Sequence, residues 1–345
     1  IEVILKLMIV YLLVLMTYDK LKLYAVLMFV NTCLISLMYS VFCKKKYEES
    51  QLQLYWNKNL FKTLLSFSGW NLFGAIAGVL NNQGVNILLN IFFGPVVNAA
   101  RGIAFQIGSA VNQFVLNFTI AVNPQITKYY ATDEKKEMMS LVFKSSKFSY
   151  FLLLILSMPV LLETNYLITF WLKIVPDYVV LFCQLFIINA LIDSLSFSLQ
   201  TTAQATGDIK SYQIVVGGVL LLNLPISFIF LKLGYSPEIT MYISIAISII
   251  SLFLRLWMLK NLVGLSLREY FYKVLLVVIR VTVLSYIIPV FLIFMFDESF
   301  MRFFLVGVTT IIASLITIYS IGITEKERDY FNKKTKYLIL NKIRF

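Results

Sequence analysis

Along this chain, long apolar runs alternate with short charged gaps, and most of the runs approach the ~20 residues that an α-helix needs to cross ~30 Å of hydrocarbon. Ten such runs stand out: Val3–Met16, Tyr24–Phe42, Leu60–Phe93, Asn98–Ala121, Phe148–Leu162, Tyr178–Gln200, Tyr212–Leu231, Ile239–Leu259, Val274–Phe296 and Phe303–Ile323. Leu60–Phe93 is longer than one crossing requires, and Phe148–Leu162 is a little short. The pattern predicts an all-α polytopic membrane protein with about ten transmembrane helices.

Polar residues inside the runs are not scattered. At ~100° per residue, the third run aligns Ser68, Asn71, Gly74, Gly78, Asn82 and Asn86 within an arc of about 120°. The fourth gathers Asn98, Arg101, Gln106, Ser109, Asn112, Gln113, Asn117 and Asn123 into about 160°. The sixth places Asn189, Asp193, Ser196, Gln200 and Gln204 within roughly 80°. An amide facing acyl chains loses its hydrogen bonds at a cost of several kcal/mol, so these arcs must face other helices or water. A single Asn or Gln is adequately explained as a cross-link between packed helices. The wide arc of the fourth run favours a water-filled cavity lined by the third, fourth and sixth. Its candidate lining residues are Asn71, Asn82, Asn86, Arg101, Gln106, Asn112, Gln113, Gln200 and Gln204.

Three charges lie within or at the edge of this apolar framework, where ionisable residues are usually functional or paired. Asp193 is a candidate site for a coupling ion, Na⁺ or H⁺; a hydrogen-bonded structural role is an equal alternative. Arg101, near the outer end of the fourth run, is suited to an anionic substrate group, and equally to capping or to reaching lipid phosphate. Arg280, two turns inside the ninth run, fits snorkelling to the interface better than a lipid pathway. Pro124, Pro225 and Pro289 mark expected bends.

Charge sets the orientation. Of the 30 Lys and Arg, 22 fall in or beside Cys43–Lys62, Lys128–Lys147, Gly207–Lys210, Arg255–Lys273 and the tail from Glu325. Only six (Lys20, Lys22, Arg101, Lys173, Lys232 and Arg302) fall in the opposite gaps. The positive-inside rule then puts Lys44–Lys46, Lys135–Lys136, Lys333–Lys334 and the C-terminus in the cytoplasm, with Pro95, Asp177 and Ser236 outside. A net charge of +12 would point a soluble protein to nucleic acid, but 59% hydrophobic residues and a mean hydropathy of +0.82 assign it to anionic lipid instead. The tail Lys326–Phe345 is expected to lie on the membrane surface.

The chain contains no His, and Cys33, Cys43 and Cys183 lack metal-ligand spacing. Zinc sites and His-based catalysis are excluded, and no metal site is expected. No glycine-rich nucleotide loop is present, so ATP is not the direct energy source. The gaps on the outer side are short, and the longest, Glu163–Asp177, is expected to be an interfacial turn. The first residue is Ile1 and an apolar run starts almost at once, which leads us to expect a fragment of a longer chain.

Several segments resemble a known family. Phe67–Phe118, FSGWNLFGAIAGVLNNQGVNILLNIFFGPVVNAARGIAFQIGSAVNQFVLNF, is similar to the first two helices of the C-terminal lobe of O-antigen and capsule flippases. Ala121–Ala131 (AVNPQITKYYA), Phe170–Pro176 (FWLKIVP) and Gln204–Gln213 (QATGDIKSYQ) continue the likeness in order. These Wzx-type exporters belong to the MATE-like multidrug/oligosaccharidyl-lipid/polysaccharide superfamily. The resemblance covers most of Tyr18–Leu262 and fades in the last two runs.

The resemblance implies two six-helix lobes around a central cavity, plus two further helices, with four N-terminal helices absent. On that scheme residues 1–42 are the last two helices of an incomplete N-terminal lobe and 43–59 a cytoplasmic connector. Residues 60–262 are the C-terminal six-helix lobe, 263–323 two peripheral helices and 324–345 a basic cytoplasmic tail. It also implies translocation of undecaprenyl-diphosphate-linked oligosaccharide across the bacterial inner membrane by alternating access, without a cofactor. Membrane lipids, a polysaccharide polymerase and a chain-length regulator are the implied partners. A cation-coupled multidrug or small-solute antiporter of the same superfamily is the alternative, although it should carry more carboxylates. A polymerase or ligase, the enzymatic alternative, needs a long outer loop with basic and His residues.

Overall fold

The computed structural model describes residues 2–15, 19–50, 55–325, 327–329 and 332–333. Among the described residues the chain forms helices and no strand, and the protein is an all-α polytopic membrane protein. Eight helical runs are long and apolar enough to cross a bilayer. The difference from about ten has two sources. The first helix, α1 (Glu2–Leu15), has 14 residues and rises only ~21 Å, short of the ~30 Å of hydrocarbon. The third and fourth apolar runs are joined into one helical stretch, Lys58–Ala131. The basic tail lies largely outside the described residues, as do Met16 and positions 51–54 of the connector.

The chain divides into two units, Ile1–Lys62 and Thr63–Phe345. The first holds α1 packed on α2 (Lys20–Lys46). Asp19 caps α2, its Oδ1 accepting from the Leu21 and Lys22 backbone N–H at 3.1 and 3.4 Å. Lys44, Lys45 and Lys46 fill the last turn, where positive charge complements the helix dipole.

The second unit begins within α3 (Lys58–Val79), passes through a π-helical turn at Leu80–Gly84, and continues as α4 (Val85–Ala131). Gly94 interrupts α4 with φ 79° and ψ −174°, a conformation essentially reserved to glycine, and Pro95 follows with no N–H to donate. A hydrogen bond from Arg101 to Asn86 shows what the interruption does. On a continuous helix their 15-residue separation would span ~22 Å, beyond the reach of both side chains. The chain therefore folds back at Gly94 into a hairpin of two long arms.

Beyond it lie α5 (Lys135–Leu162), α6 (Thr164–Leu172), α7 (Val179–Ser194), α8 (Phe197–Ala205), α9 (Lys210–Leu221), α10 (Asn223–Lys232), α11 (Ile239–Val263), the one-turn α12 (Leu267–Tyr270), α13 (Leu276–Met295) and α14 (Phe300–Thr317). α5 is the innermost helix. Met138, Leu153, Leu154 and Met158 are fully buried, because α4, α7, α13 and α14 all pack on it. It starts 13 residues before the predicted run, since Lys135–Lys147 is charged enough to read as a loop while Ser145, Ser146 and Lys147 are buried. The expected turn at Glu163–Asp177 contains α6 instead. Pro124 and Pro289 lie inside continuous helices rather than ending them, and the break between α9 and α10 falls at Leu222, ahead of Pro225.

The last two membrane helices are anchored to α5 by specific contacts. Tyr150 and Thr282 hydroxyls meet at 3.0 Å, Ser314 Oγ donates to Met158 Sδ at 3.2 Å, and Gly322 packs so closely on Phe151 that a Cβ would sit 2.9 Å from its ring. The outward faces are strongly apolar, with Phe294 84% exposed, as contact with lipid requires.

Candidate functional site

The site is best built outward from the hairpin. Arg101 lies seven residues past Gly94 and is only 3% exposed, enclosed between the hairpin and α7. Nη1 donates to Asn86 Oδ1 on the opposite arm, and the guanidinium lies over the Phe186 ring of α7 at 5.1 Å. Phe186 is held edge-on by Phe105 at 5.9 Å and packs beside Gly108. Arg101 Nε has no partner, and no carboxylate pairs with the guanidinium among the described residues. Asn86 is itself oriented by Gln83, its Nδ2 donating to Gln83 Oε1 at 2.8 Å within reach of the π-helical turn. A buried cation held by an amide and an aromatic face retains donors for an anion.

A second polar group joins α3 to α8 and α9. Asn71 Oδ1 accepts from Gln204 Nε2 and from Gln213 Nε2, both at 3.4 Å, while Asn71 Nδ2 donates to the Phe67 carbonyl at 3.2 Å. Gly74 makes room for Gln213, whose Oε1 lies 2.1 Å from where a Cβ would stand. Asn71 and Gln204 therefore meet directly, as a cross-link between helices.

No family model, curated protein or solved structure matches the chain.

Asp193 ends α7, where Leu195 and Ser196 break the helix before α8. Asn189 Nδ2 donates to its Oδ2 at 2.8 Å, the Ser248 hydroxyl of α11 interacts with the same carboxylate, and Arg255 lies within electrostatic reach. Arg255, 9% exposed, donates through Nη1 to the Tyr212 hydroxyl of α9. The break itself is held from α5 and α12: Ser146 Oγ and Tyr270 Oη both donate to the Leu195 carbonyl, at 3.1 and 3.2 Å.

Sequence reasoning placed α11 but missed its polar face. Thr240, Ser244, Ser248, Ser251 and Arg255 recur at intervals of three and four on an otherwise apolar helix, and so form one polar stripe. Each serine reads singly as a small packing residue, whereas the helical spacing was the signal. Ser244 belongs to a further buried group. Asn223 Nδ2 donates to Asn81 Oδ1 at 2.5 Å and to Ser244 Oγ at 2.9 Å, and Ser227 Oγ donates to Asn223 Oδ1 at 2.9 Å. This fastens the π-helical turn to the α9–α10 break, two interruptions that would otherwise leave backbone groups unsupported.

The remaining candidates disperse. Asn82, Gln106 and Gln113 are exposed, with Asn82 Nδ2 donating to the Gly78 carbonyl and Gln113 Nε2 to Asn117 Oδ1, both at 3.3 Å. Asn112 Oδ1 is buried without a partner, and Gln200 is half-buried. Arg280 is exposed on α13. A shallow groove on α13 lined by Ile287, Ile288, Val290, Phe291 and Phe294 contains none of these residues.

Proposed function

We propose that this chain translocates a polyprenyl-diphosphate-linked oligosaccharide across the bacterial inner membrane, as a multi-pass protein with a cytoplasmic C-terminus. The observation that carries the reading is Arg101, a buried guanidinium near the tip of the hairpin with no carboxylate partner among the described residues. Such a group holds its charge at any physiological pH and can bind phosphate oxygens through two N–H donors. Asn86, hydrogen-bonded to the guanidinium, supplies an amide suited to sugar hydroxyls, and the exposed Asn82, Gln106 and Gln113 are further polar groups of the same hairpin. Arg280 stands where a phospholipid headgroup or the lipid portion of the substrate could engage it. On this reading the protein is a transporter, needing neither cofactor nor metal, and works beside a polymerase and a chain-length regulator.

A second reading, a cation-coupled multidrug or small-solute antiporter, draws on the membrane-embedded Asp193 and its oxygen-rich surroundings. Transfer of fluorescent polyprenyl diphosphate oligosaccharide between leaflets of proteoliposomes separates the two. We expect transfer that falls at least tenfold in Arg101→Ala and recovers partly in Arg101→Lys, which keeps the charge and loses the fork. Absence of lipid transfer together with gradient-driven efflux of a cationic dye would instead establish the antiporter.

A further inference from the structure

Around Asp193 there is more buried oxygen than the hydrogen bonds use. Asn189 Nδ2 and the Ser248 hydroxyl engage the carboxylate, but Asn189 Oδ1 and Ser251 Oγ are buried with no partner among the described residues. Ser251 is only 3% exposed and stands one turn along α11 from Ser248. A carboxylate, a carboxamide oxygen and two hydroxyls form a hard ligand set, of the kind that suits small hard cations. Arg255 lies two turns along α11 from Ser248, on the same face of the helix and within electrostatic reach of the carboxylate. The Arg255 guanidinium is drawn aside by Tyr212, to whose hydroxyl Nη1 donates and over whose ring it lies at 5.6 Å, while Nε has no partner. It is close enough to act on the carboxylate, yet it forms no direct ion pair with it.

We propose that Arg255 is the built-in counter-cation of Asp193, and that the oxygen cluster of Asp193, Asn189, Ser248 and Ser251 takes a small monovalent cation only when this guanidinium is withdrawn. Two positive charges sharing one carboxylate in a low-dielectric interior repel each other, so occupancy by one excludes the other. Arg255 belongs to α11, and the carboxylate belongs to the broken end of α7. A relative displacement of these helices thus exchanges an internal cation for an external one. An ion can bias two conformations only through different affinity for them, and this exchange supplies the difference. The inference stands independently of the transported molecule, because its test reads cation binding and not transport.

The test measures Na⁺ binding to the full chain in nanodiscs, by ²²Na⁺ retention and by the Na⁺-specific rise in Tm against choline at equal ionic strength. Wild type and Arg255→Lys are expected to bind Na⁺ about tenfold more weakly than Arg255→Gln, since both keep a cation near Asp193 that must first be withdrawn. Arg255→Gln is expected to show both signals, and Asp193→Asn/Arg255→Gln to lose them. Asp193-dependent Na⁺ binding in wild type as tight as in Arg255→Gln overturns the proposal, as does a folded Arg255→Gln that retains no Na⁺. If Arg255→Gln alone does not fold, adding Asp193→Asn should restore folding, because a neutral pair replaces an uncompensated carboxylate. A double variant no more stable than the single one overturns the proposal equally.

Discussion

The contact between Glu163 and Arg302 is expected to be the largest single polar contribution to the docking of α14. Glu163 caps α5 and is 2% exposed; Arg302 lies in the first turn of α14 and its side chain is 11% exposed. Arg302 Nε and Nη2 donate to the two carboxylate oxygens at 2.8 and 2.9 Å, and Nη1 donates to the Phe296 carbonyl at 3.1 Å. Arg302→Met leaves the Glu163 carboxylate buried without its counter-charge, a change that costs about 3–5 kcal/mol. At ~1.4 kcal/mol per factor of ten, the unfolding equilibrium shifts by roughly two to three and a half decades. The second pairing of Arg302, to Glu298 at 3.4 Å, involves a carboxylate 48% exposed, so Glu298→Gln should cost no more than about 1 kcal/mol. Replacing both partners, as Glu163→Met/Arg302→Met, should recover most of the loss, because no lone charge remains. Equilibrium unfolding in mixed micelles, followed by the fluorescence of Trp171 at the end of α6, measures all four proteins. If Arg302→Met costs no more than Glu298→Gln, the fork carries no special weight and the reasoning fails.

Three further outcomes are expected. Cysteines placed at Gln106, Asn112, Gln113 and Asn86 should react with a small aqueous thiol reagent, whereas one at Phe114, which is 57% exposed, should not; equal protection at all five would make the polar arc a packing surface. Glu327 pairs with Lys147 at 3.1 Å, and although burial works to raise its pKa, the Thr324 backbone N–H and the Lys147 ammonium outweigh this and hold the carboxyl below its ordinary 4.5. The stability it contributes should therefore be complete above that value and disappear as the pH falls through the lowered one; Tm measured between about pH 7 and pH 3 should lose this component in Lys147→Met. Gly74→Ala should displace Gln213 and cost at least ~1 kcal/mol more than Gly78→Ala, which meets nothing within 4 Å, as denaturation midpoints will register.

Hydropathy alone is enough to recognise an all-α membrane protein, because burying a backbone in lipid demands ~20 apolar residues whatever the packing, but it does not fix the number of crossings or where each helix starts. It does not disclose where helices break. Gly94 is one glycine among several, and only its left-handed φ turns α4 back on itself. The α7–α8 break has no proline at all and depends on Ser146 and Tyr270, 49 and 75 residues from the carbonyl they hold. At the candidate site, Asp193 and Arg101 were visible because charge in an apolar run is conspicuous. Their partners were less so. Asn86 read as one amide in an arc and Arg255 as part of a cytoplasmic charge cluster, while Phe186 carried no signal of its own. Glu163, 2% exposed, read as part of a turn for the same reason. Short-range composition records what a residue is and not what reaches it from elsewhere in the chain.

The stripe on α11 also bears on how the protein is made. Asn81, Asp193, Tyr212 and Asn223 are all synthesised before the helix that carries Ser244, Ser248 and Arg255. Asn81 precedes its own partner Asn223 by 142 residues, on the order of 7–30 s of translation at ~5–20 residues per second. Throughout that interval the earlier helices hold polar side chains whose final partners do not yet exist, in a solvent that cannot replace them. They must stay sheltered by the insertion machinery, or pair provisionally with one another, until α11 arrives. A ribosome that stops before Ile239 leaves Asn223 without Ser244 and the Asp193 carboxylate without Ser248, a mark by which membrane quality control can recognise an unfinished chain.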